Sequence, residues 1–225
     1  MRKYILLIVF FLGQQVVPAD SVLDIPYSHQ WRTYSCGQNS FRMVMGFWGE
    51  RLEKGWIFFL TGYNASHSRM FEEIVDNHFP DFAFREVDKN IAAVIETLNQ
   101  NRPIMIEVVS SELPYLDYSA AAGHYIVALG YNEEDGVIYI RDPNSFYVEA
   151  LSYAQLEKAW GNEGYTLFAI YREDGQHVAP QELEHFSSEA RPFGAKKEDH
   201  YLPFATVFIP TIYTALHIGI HAGVW

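Results

Sequence analysis

The chain contains a single cysteine, Cys36, at the point where an amphipathic helix is predicted to begin. A thiol at a helix start lies beside unpaired backbone N–H groups and the positive end of the helix dipole. Both favour the thiolate, which is the nucleophilic form of cysteine. Attack of sulfur on a carbonyl carbon is therefore the chemistry that this residue could perform. The apolar residues that mark the helix recur every three or four positions and end at a glycine: Phe41, Val44, Met45, Phe47 and Trp48, then Gly49.

A thiol nucleophile needs an imidazole to hold its proton and to pass it to the leaving group. Of the nine histidines, His124 is the strongest candidate, because it follows a glycine and opens an apolar run. The runs 124–131 and 137–142, separated by turn residues, predict a β-hairpin. With Tyr131 opposite Val137, His124 would lie diagonal to Asp142 on the same face. Asp142 could then accept the imidazole N–H and fix the ring tautomer.

This register has an alternative, and each residue has a structural interpretation. A bulge at Gly136 would shift the pairing and separate His124 from Asp142. Taken singly, the three residues could also be an inert buried cysteine, a hydrogen-bonded histidine at a strand end and an Asp-Pro turn. Their joint placement favours chemistry.

The tetrahedral intermediate of such a reaction carries an oxyanion that needs hydrogen-bond donors. The backbone N–H of Cys36 is one candidate. The side-chain amide of Gln30, upstream of the cysteine, is the other.

Composition narrows the class of protein. The chain has 225 residues, 49% of them hydrophobic, which suits one folded domain with appendages. A net charge of −12 argues against nucleic acid as a partner. The pair His217/His221 has a metal-binding spacing without an adjacent carboxylate, so no metal or other cofactor is expected.

The two ends predict export and contact with a membrane. Arg2 and Lys3 precede a short apolar run, and Val17-Pro18-Ala19 suits signal cleavage, so residues 1–19 are interpreted as a signal peptide, with an N-terminal anchor as the alternative. Residues 173–200 are a polar linker. The tail 201–225 has no charged side chain and either crosses a membrane or packs on the domain.

The segments between these ends predict an α+β domain over residues 24–172. A cysteine-bearing helix comes first and a mostly antiparallel sheet follows. Residues 50–69 are interpreted as a helical turn with loops, and the turn of the hairpin as 132–136. The remaining predicted elements are helices over 70–77, 90–99 (capped by Asn90) and 153–160 (opened by a Ser152/Gln155 capping box), and strands over 104–109 and 165–171.

Several segments resemble the bacteriocin-leader-processing cysteine peptidases and their stand-alone relatives, which are papain-like. The resemblance covers residues 25–171 and is carried by Ile25–Gln30, Cys36–Ser40, Asn101–Met105, Gly123–Val127, Gly130-Tyr131 and Asp142-Pro143. It implies a papain-like fold with a peptide or protein substrate. It also implies that Cys36 is the nucleophile, His124 the base, Asp142 the orienting acid and Gln30 the oxyanion donor.

The resemblance does not extend to every property of that family. Transporter-fused members cleave after paired glycines, whereas Gln38-Asn39-Ser40 after the Cys-Gly pair looks more like the stand-alone members. Cleavage at paired glycines is therefore not expected from it. Two other functions are open at this stage: a non-catalytic peptide-binding module, and acyl transfer to an amine.

Overall fold

The computed structural model describes residues 22–30, 34–62, 67–117, 122–161 and 164–176. The predicted signal peptide 1–19, the tail 201–225 and the histidines His217 and His221 lie outside these residues, as does most of the predicted linker 173–200. Those interpretations stay predictions.

One antiparallel sheet forms the centre of the described part of the chain. Its strands are β1 (Phe82–Glu86), β2 (Ile104–Val109), β3 (Gly123–Asn132), β4 (Val137–Arg141), β5 (Val148–Ser152) and β6 (Leu167–Arg172). They lie side by side in the order β1-β6-β2-β3-β4-β5. Strand β3, which carries His124, is therefore flanked by β2 on one side and β4 on the other.

Helices pack on this sheet, and the cysteine helix lies against its middle. The helices are α1 (Cys36–Phe47), α2 (Lys54–Thr61), α3 (Ser68–His78), α4 (Ile91–Asn99) and α5 (Tyr153–Ala159), with a 3-10 turn over Ser110–Glu112. Helix α1 contacts β3 and β2, and all of its residues are buried. The architecture confirms the expected α+β fold with the Cys36 helix packed on an antiparallel sheet.

Stacked aromatic rings join the helices to the sheet. Phe71 of α3 packs on Phe41 of α1 at 5.3 Å between ring centroids and on Phe168 of β6 at 5.9 Å. Tyr125 of β3 meets Phe71 edge-on at 5.7 Å. Burial of one such ring contributes about 1.5–3 kcal/mol, so this cluster is a main reason why α1 stays fixed on β3.

Local signals located several elements correctly. Strand β2 spans the predicted residues, Asn90 caps α4 through Ala93 N–H at 2.9 Å, and Ser152 and Gln155 form the predicted capping box of α5. Three elements were missed or underestimated. β1 and β5 were not predicted, and α2 is a full helix where a helical turn with loops was expected.

The predicted register at the hairpin turn was wrong by one residue. Asn132, not Tyr131, pairs with Val137, and the turn is correspondingly shorter. The bulge is not at Gly136, which has a φ of 63° in the turn itself. It lies further along β3, between Ala128 and Gly130.

The extra residue in β3 offsets the one-residue difference at the turn, so the pairing beyond the bulge is the one that was predicted. Beyond it Val127 pairs with Arg141, and continuing that pairing places His124 opposite Asn144, as predicted. The carbonyl of Leu129, the residue in the bulge, accepts a hydrogen bond from Leu23 N–H at 2.6 Å. The chain ahead of α1 thus stabilises the shift that brings His124 beside Asp142.

The Asn90 cap gives a first testable prediction. Asn90→Ala removes the acceptor for Ala93 N–H and should lower the free energy of unfolding by about 1 kcal/mol. Urea unfolding followed by circular dichroism measures it. Asn90→Asp keeps an acceptor and should restore most of the loss; equal stability of all three proteins would contradict the prediction.

Candidate active site

Cys36 is the first residue of α1, and its side chain is buried at the end of the helix that faces the sheet. The Ser40 hydroxyl, one turn later, donates to the carbonyl of Tyr125 at 3.1 Å. This bond fixes the first turn of α1 against β3. As a result the sulfur lies next to the strand residue that precedes Tyr125, which is His124.

His124 links the cysteine to the aspartate. Its Nε2 donates to Oδ1 of Asp142 at 2.8 Å, which leaves Nδ1 for its hydrogen bond to Cys36. Both His124 and Asp142 are almost completely buried. The predicted trio of Cys36, His124 and Asp142 is therefore brought together as one hydrogen-bonded chain of side chains.

The Asp142 carboxylate has further donors. Its Oδ1 also accepts the backbone N–H of Asn144 at 2.7 Å, and its Oδ2 accepts the hydroxyl of Tyr115 at 2.9 Å. Donors to both oxygens hold the carboxylate in one orientation. The imidazole is oriented in turn.

The charges within this hydrogen-bonded trio shift the pKa values of Cys36 and His124. Burial raises the pKa of Cys36, but the hydrogen bond and charge of His124 and the N–H of Tyr125 outweigh it, so that the pKa lies below its usual value. Burial lowers the pKa of His124, but the charge and hydrogen bond of Asp142 outweigh it and raise the pKa to about 10. At neutral pH the arrangement therefore favours a thiolate beside an imidazolium.

The backbone of Gln30 is bonded next to the hydrogen-bonded side chains of Cys36, His124 and Asp142. Its N–H donates to the carbonyl of Pro143 at 2.7 Å, and the hydroxyl of Tyr27 donates to the same carbonyl at 3.1 Å. The Gln30 side chain is largely buried, and its Oε1 has no hydrogen-bond partner among the described residues. Residues 31–33, between Gln30 and the cysteine, lie outside the described part.

A buried polar network holds the segment before Gln30 against α1. Arg42 of α1 donates to the Ser28 hydroxyl and to the Leu52 carbonyl. The Ser28 hydroxyl donates to Asn39 Oδ1 at 2.7 Å, and Asn39 Nδ2 donates to the Ser35 carbonyl at 2.8 Å. Since partnered buried polar groups specify one arrangement, this network sets the path of the chain on both sides of Cys36.

Sequence reasoning missed the supporting residues. Tyr115 lies in the segment between β2 and β3, and no pattern distinguishes it from other loop tyrosines. Arg42 is a charged residue in a helix whose residues are all buried. This exception could have identified it from the sequence. Tyr27 enters the sequence analysis only as part of the segment Ile25–Gln30 that carries the resemblance.

Two negative findings concern the described residues alone. No three His, Cys, Asp or Glu side chains come together there in a way that could hold a metal ion. No helix there has the length and apolarity needed to cross a bilayer.

The model of the Peptidase_C39 like family matches residues 22–167, which include Gln30, Cys36, His124 and Asp142. The chain belongs to the Peptidase_C39 like family. This C39-like protein is thus a cysteine-type peptidase, a hydrolase. A search of curated proteins gave no match.

Solved structures of peptidases are similar to this C39-like peptidase at low sequence identity. A Bacillus anthracis protein described as C39-like peptidase has a TM-score of 0.53 and 16% identity over 68% of this chain and 98% of its own. The peptidase domain of Streptococcus ComA, a bifunctional ABC transporter involved in quorum sensing, has a TM-score of 0.49 and 19% identity over 70% and 99%. A double glycine motif protease from an AMS/PCAT transporter, in complex with the leader peptide, has 0.48 and 15% over 67% and 95%.

The low pKa of the thiol predicts its alkylation behaviour. Iodoacetamide should label Cys36 with a rate midpoint well below the pH of about 8.5 typical of a free thiol, because thiolate is the reactive form. In His124→Ala the midpoint should rise, since the hydrogen bond and the positive charge are lost while burial remains. Mass spectrometry of the labelled peptide across pH gives the rates.

The exposed histidine His78 provides the control. His78→Ala should leave the alkylation profile unchanged. A wild-type midpoint at or above pH 8.5, or a profile that His124→Ala does not move, would refute the ion-pair interpretation.

Proposed function

We propose that the protein is an exported peptidase that cleaves amide bonds of peptides or proteins through a thioester at Cys36. The observation that supports this most strongly is the hydrogen-bonded chain from Cys36 through His124 to Asp142. A thiolate, a proton carrier and an orienting carboxylate are the groups that amide hydrolysis by sulfur requires. Membership of the Peptidase_C39 like family supports the same activity.

In the first half of the proposed reaction the Cys36 thiolate attacks the scissile carbonyl carbon. The carbonyl oxygen becomes an oxyanion, and the intermediate collapses as His124 gives its proton to the leaving amine. The carbon–nitrogen bond breaks and a thioester to Cys36 remains. Asp142 stabilises the imidazolium before this transfer and holds the ring in position after it.

In the second half, neutral His124 removes a proton from water, and the resulting hydroxide attacks the thioester. The carbon–sulfur bond breaks, the acid product leaves and the Cys36–His124 ion pair returns. Both halves pass through an oxyanion. The N–H of Cys36 and the side-chain amide of Gln30 are the donors that we assign to it.

Two features support the amide role of Gln30. Its backbone is fixed to the carbonyl of Pro143, directly after Asp142, so it is held in register with the acid. Its side-chain Oε1 has no hydrogen-bond partner among the described residues, so the fold does not hold the amide through its oxygen.

Export is supported by the sequence alone. Two basic residues, an apolar run and Val17-Pro18-Ala19 precede the domain in the order of a secretory signal. The uncharged tail 201–225 supports association with a membrane.

The nucleophile is tested by removing the sulfur. Cys36→Ala should abolish hydrolysis of a mixed fluorogenic peptide library, since no other thiol exists in the chain. The folded state of the variant is checked by circular dichroism and thermal unfolding. Cleavage that persists in Cys36→Ala would exclude the thioester mechanism.

The oxyanion role of Gln30 makes a separate prediction. Gln30→Ala should lower kcat by about 10²–10³-fold with little change in KM, because the lost donor acts mainly in the transition state. Alkylation of Cys36 should keep its pH profile. Gln100→Ala, on an exposed glutamine, is the matched control; a kcat for Gln30→Ala equal to that of the control would remove Gln30 from the mechanism.

A further inference from the structure

One exposed tyrosine lies close to the nucleophile in the chain. Tyr34 is separated from Cys36 by Ser35 alone, and it is 66% exposed. Consecutive Cα atoms are about 3.8 Å apart, so the Cα atoms of Tyr34 and Cys36 lie within about 7.6 Å of each other. A phenol ring at this distance is within reach of a substrate residue bound at the sulfur.

The backbone of Tyr34 has a conformation that costs free energy. Its φ is 71°, in the left-handed region, where the Cβ of a bulky residue is crowded against the backbone. Among the described residues the other non-glycine at a positive φ is Asn101, and asparagine tolerates this region. Tyr34 is therefore the one bulky residue in the described part of the chain that has a strained backbone of this kind.

The contacts that hold this backbone come from the residue after it. The carbonyl of Ser35 accepts the backbone N–H of Asn39 at 3.1 Å and the side-chain Nδ2 of Asn39 at 2.8 Å. Asn39 is itself held by the hydroxyl of Ser28. Strain of this kind persists only where the surrounding structure fixes the backbone. The buried network at the start of α1 supplies that constraint.

The fold does not use the Tyr34 ring in return. Within the described residues the ring has no ring contact and the hydroxyl has no hydrogen bond. Phe146, another exposed aromatic residue, differs because its ring stacks on His29 at 4.8 Å between centroids. A strained residue whose side chain does not stabilise the fold is typical of a ligand-binding position.

We propose that the ring of Tyr34 binds an apolar side chain of the substrate, such as leucine, within two residues of the scissile bond. The ring is uncharged, offers a flat apolar face, and is held in one place by the fixed backbone. One residue of extended chain spans about 3.3 Å, so substrate residues one or two positions from the cleaved bond lie within its reach. The inference rests on the proposed peptidase function and adds a specificity-determining residue to it.

Peptide cleavage tests the contact. Fluorogenic peptides carry leucine, lysine or serine at one of the two positions on either side of the scissile bond. At one of these positions the wild-type kcat/KM should be about tenfold higher with leucine than with serine. Tyr34→Asn removes the ring and keeps a residue suited to a positive φ, so the ratio should fall to near one, mainly through KM. Tyr34→Phe should keep the wild-type ratio.

Two controls separate the ring from the backbone. Phe59→Gln, on an exposed ring of α2, is the matched control and should keep the wild-type ratio. In thermal unfolding, Tyr34→Asn should have a Tm at or above that of the wild type, because strain is relieved and no contact of the fold is lost. A lower Tm would show that the ring stabilises the fold and would overturn the inference.

The cleavage ratios can also contradict the proposal. A wild-type enzyme that cleaves the leucine and serine peptides equally would overturn the inference and leave the peptidase function intact. A leucine preference that survives Tyr34→Asn would overturn it as well. A preference for lysine over leucine would indicate a cation–π contact and exclude the apolar one.

Binding to an inactive variant separates the two proposals. With Cys36→Ala, fluorescence anisotropy should show that the leucine peptide binds about tenfold more tightly than the serine peptide, and that adding Tyr34→Asn removes the difference. If the wild type cleaves nothing but this ring-dependent binding is found, the peptidase function fails and the contact at Tyr34 stands. Equal binding of the two peptides would refute the contact whatever the catalytic result.

Discussion

A carboxylate withdrawn from water is stable as an anion only when donors surround it, and Asp142 is completely buried. Its donors come from three parts of the chain: the ring of His124, the N–H of Asn144 and the hydroxyl of Tyr115. Each donor restricts where its own segment can lie. The solvation of one buried charge thus fixes the end of β3, the turn after β4 and the loop after β2 relative to one another.

The residue after this aspartate extends the constraint to the first segment of the domain. The carbonyl of Pro143 accepts Gln30 N–H and the Tyr27 hydroxyl. The same segment donates to the bulge of β3 through Leu23. The lead-in segment therefore carries the assigned oxyanion donor and also stabilises the strand irregularity that aligns His124 with Asp142. Neither contact depends on the helix propensity or hydrophobic pattern of the segment.

The elements that could be predicted are those with a local cause. The helix after Cys36, the Asn90 cap and the Ser152/Gln155 box depend on residues within one or two turns. β1 was not predicted because its residues do not alternate between buried and exposed: the first three are buried and the last two are exposed. β5 escaped because Glu149 and Ala150 are poor strand formers whose pairing with β4 is set by the sheet.

The site was predictable where residue type limits the choices. The sequence allowed the one cysteine and a histidine at a strand start to be predicted as a pair. It did not allow the contacts that bring them together to be predicted. The predicted register was wrong by one residue at the turn. The extra residue of the bulge in β3 restores the predicted pairing beyond it. Tyr115 could not be found, because a loop tyrosine acquires its role only from the position of a buried carboxylate elsewhere in the chain.

The position of β3 within the sheet separates two tasks. Its neighbour β4 leads into Asp142, which orients the imidazole of His124, while its neighbour β2 pairs with β3 and has Val108 opposite His124. Among the described residues no side chain of β2 donates to Asp142, so β2 can vary without changing the carboxylate that orients His124. The orientation of the ring thus depends on the turn after β4, and the position of its strand on the pairing with β2.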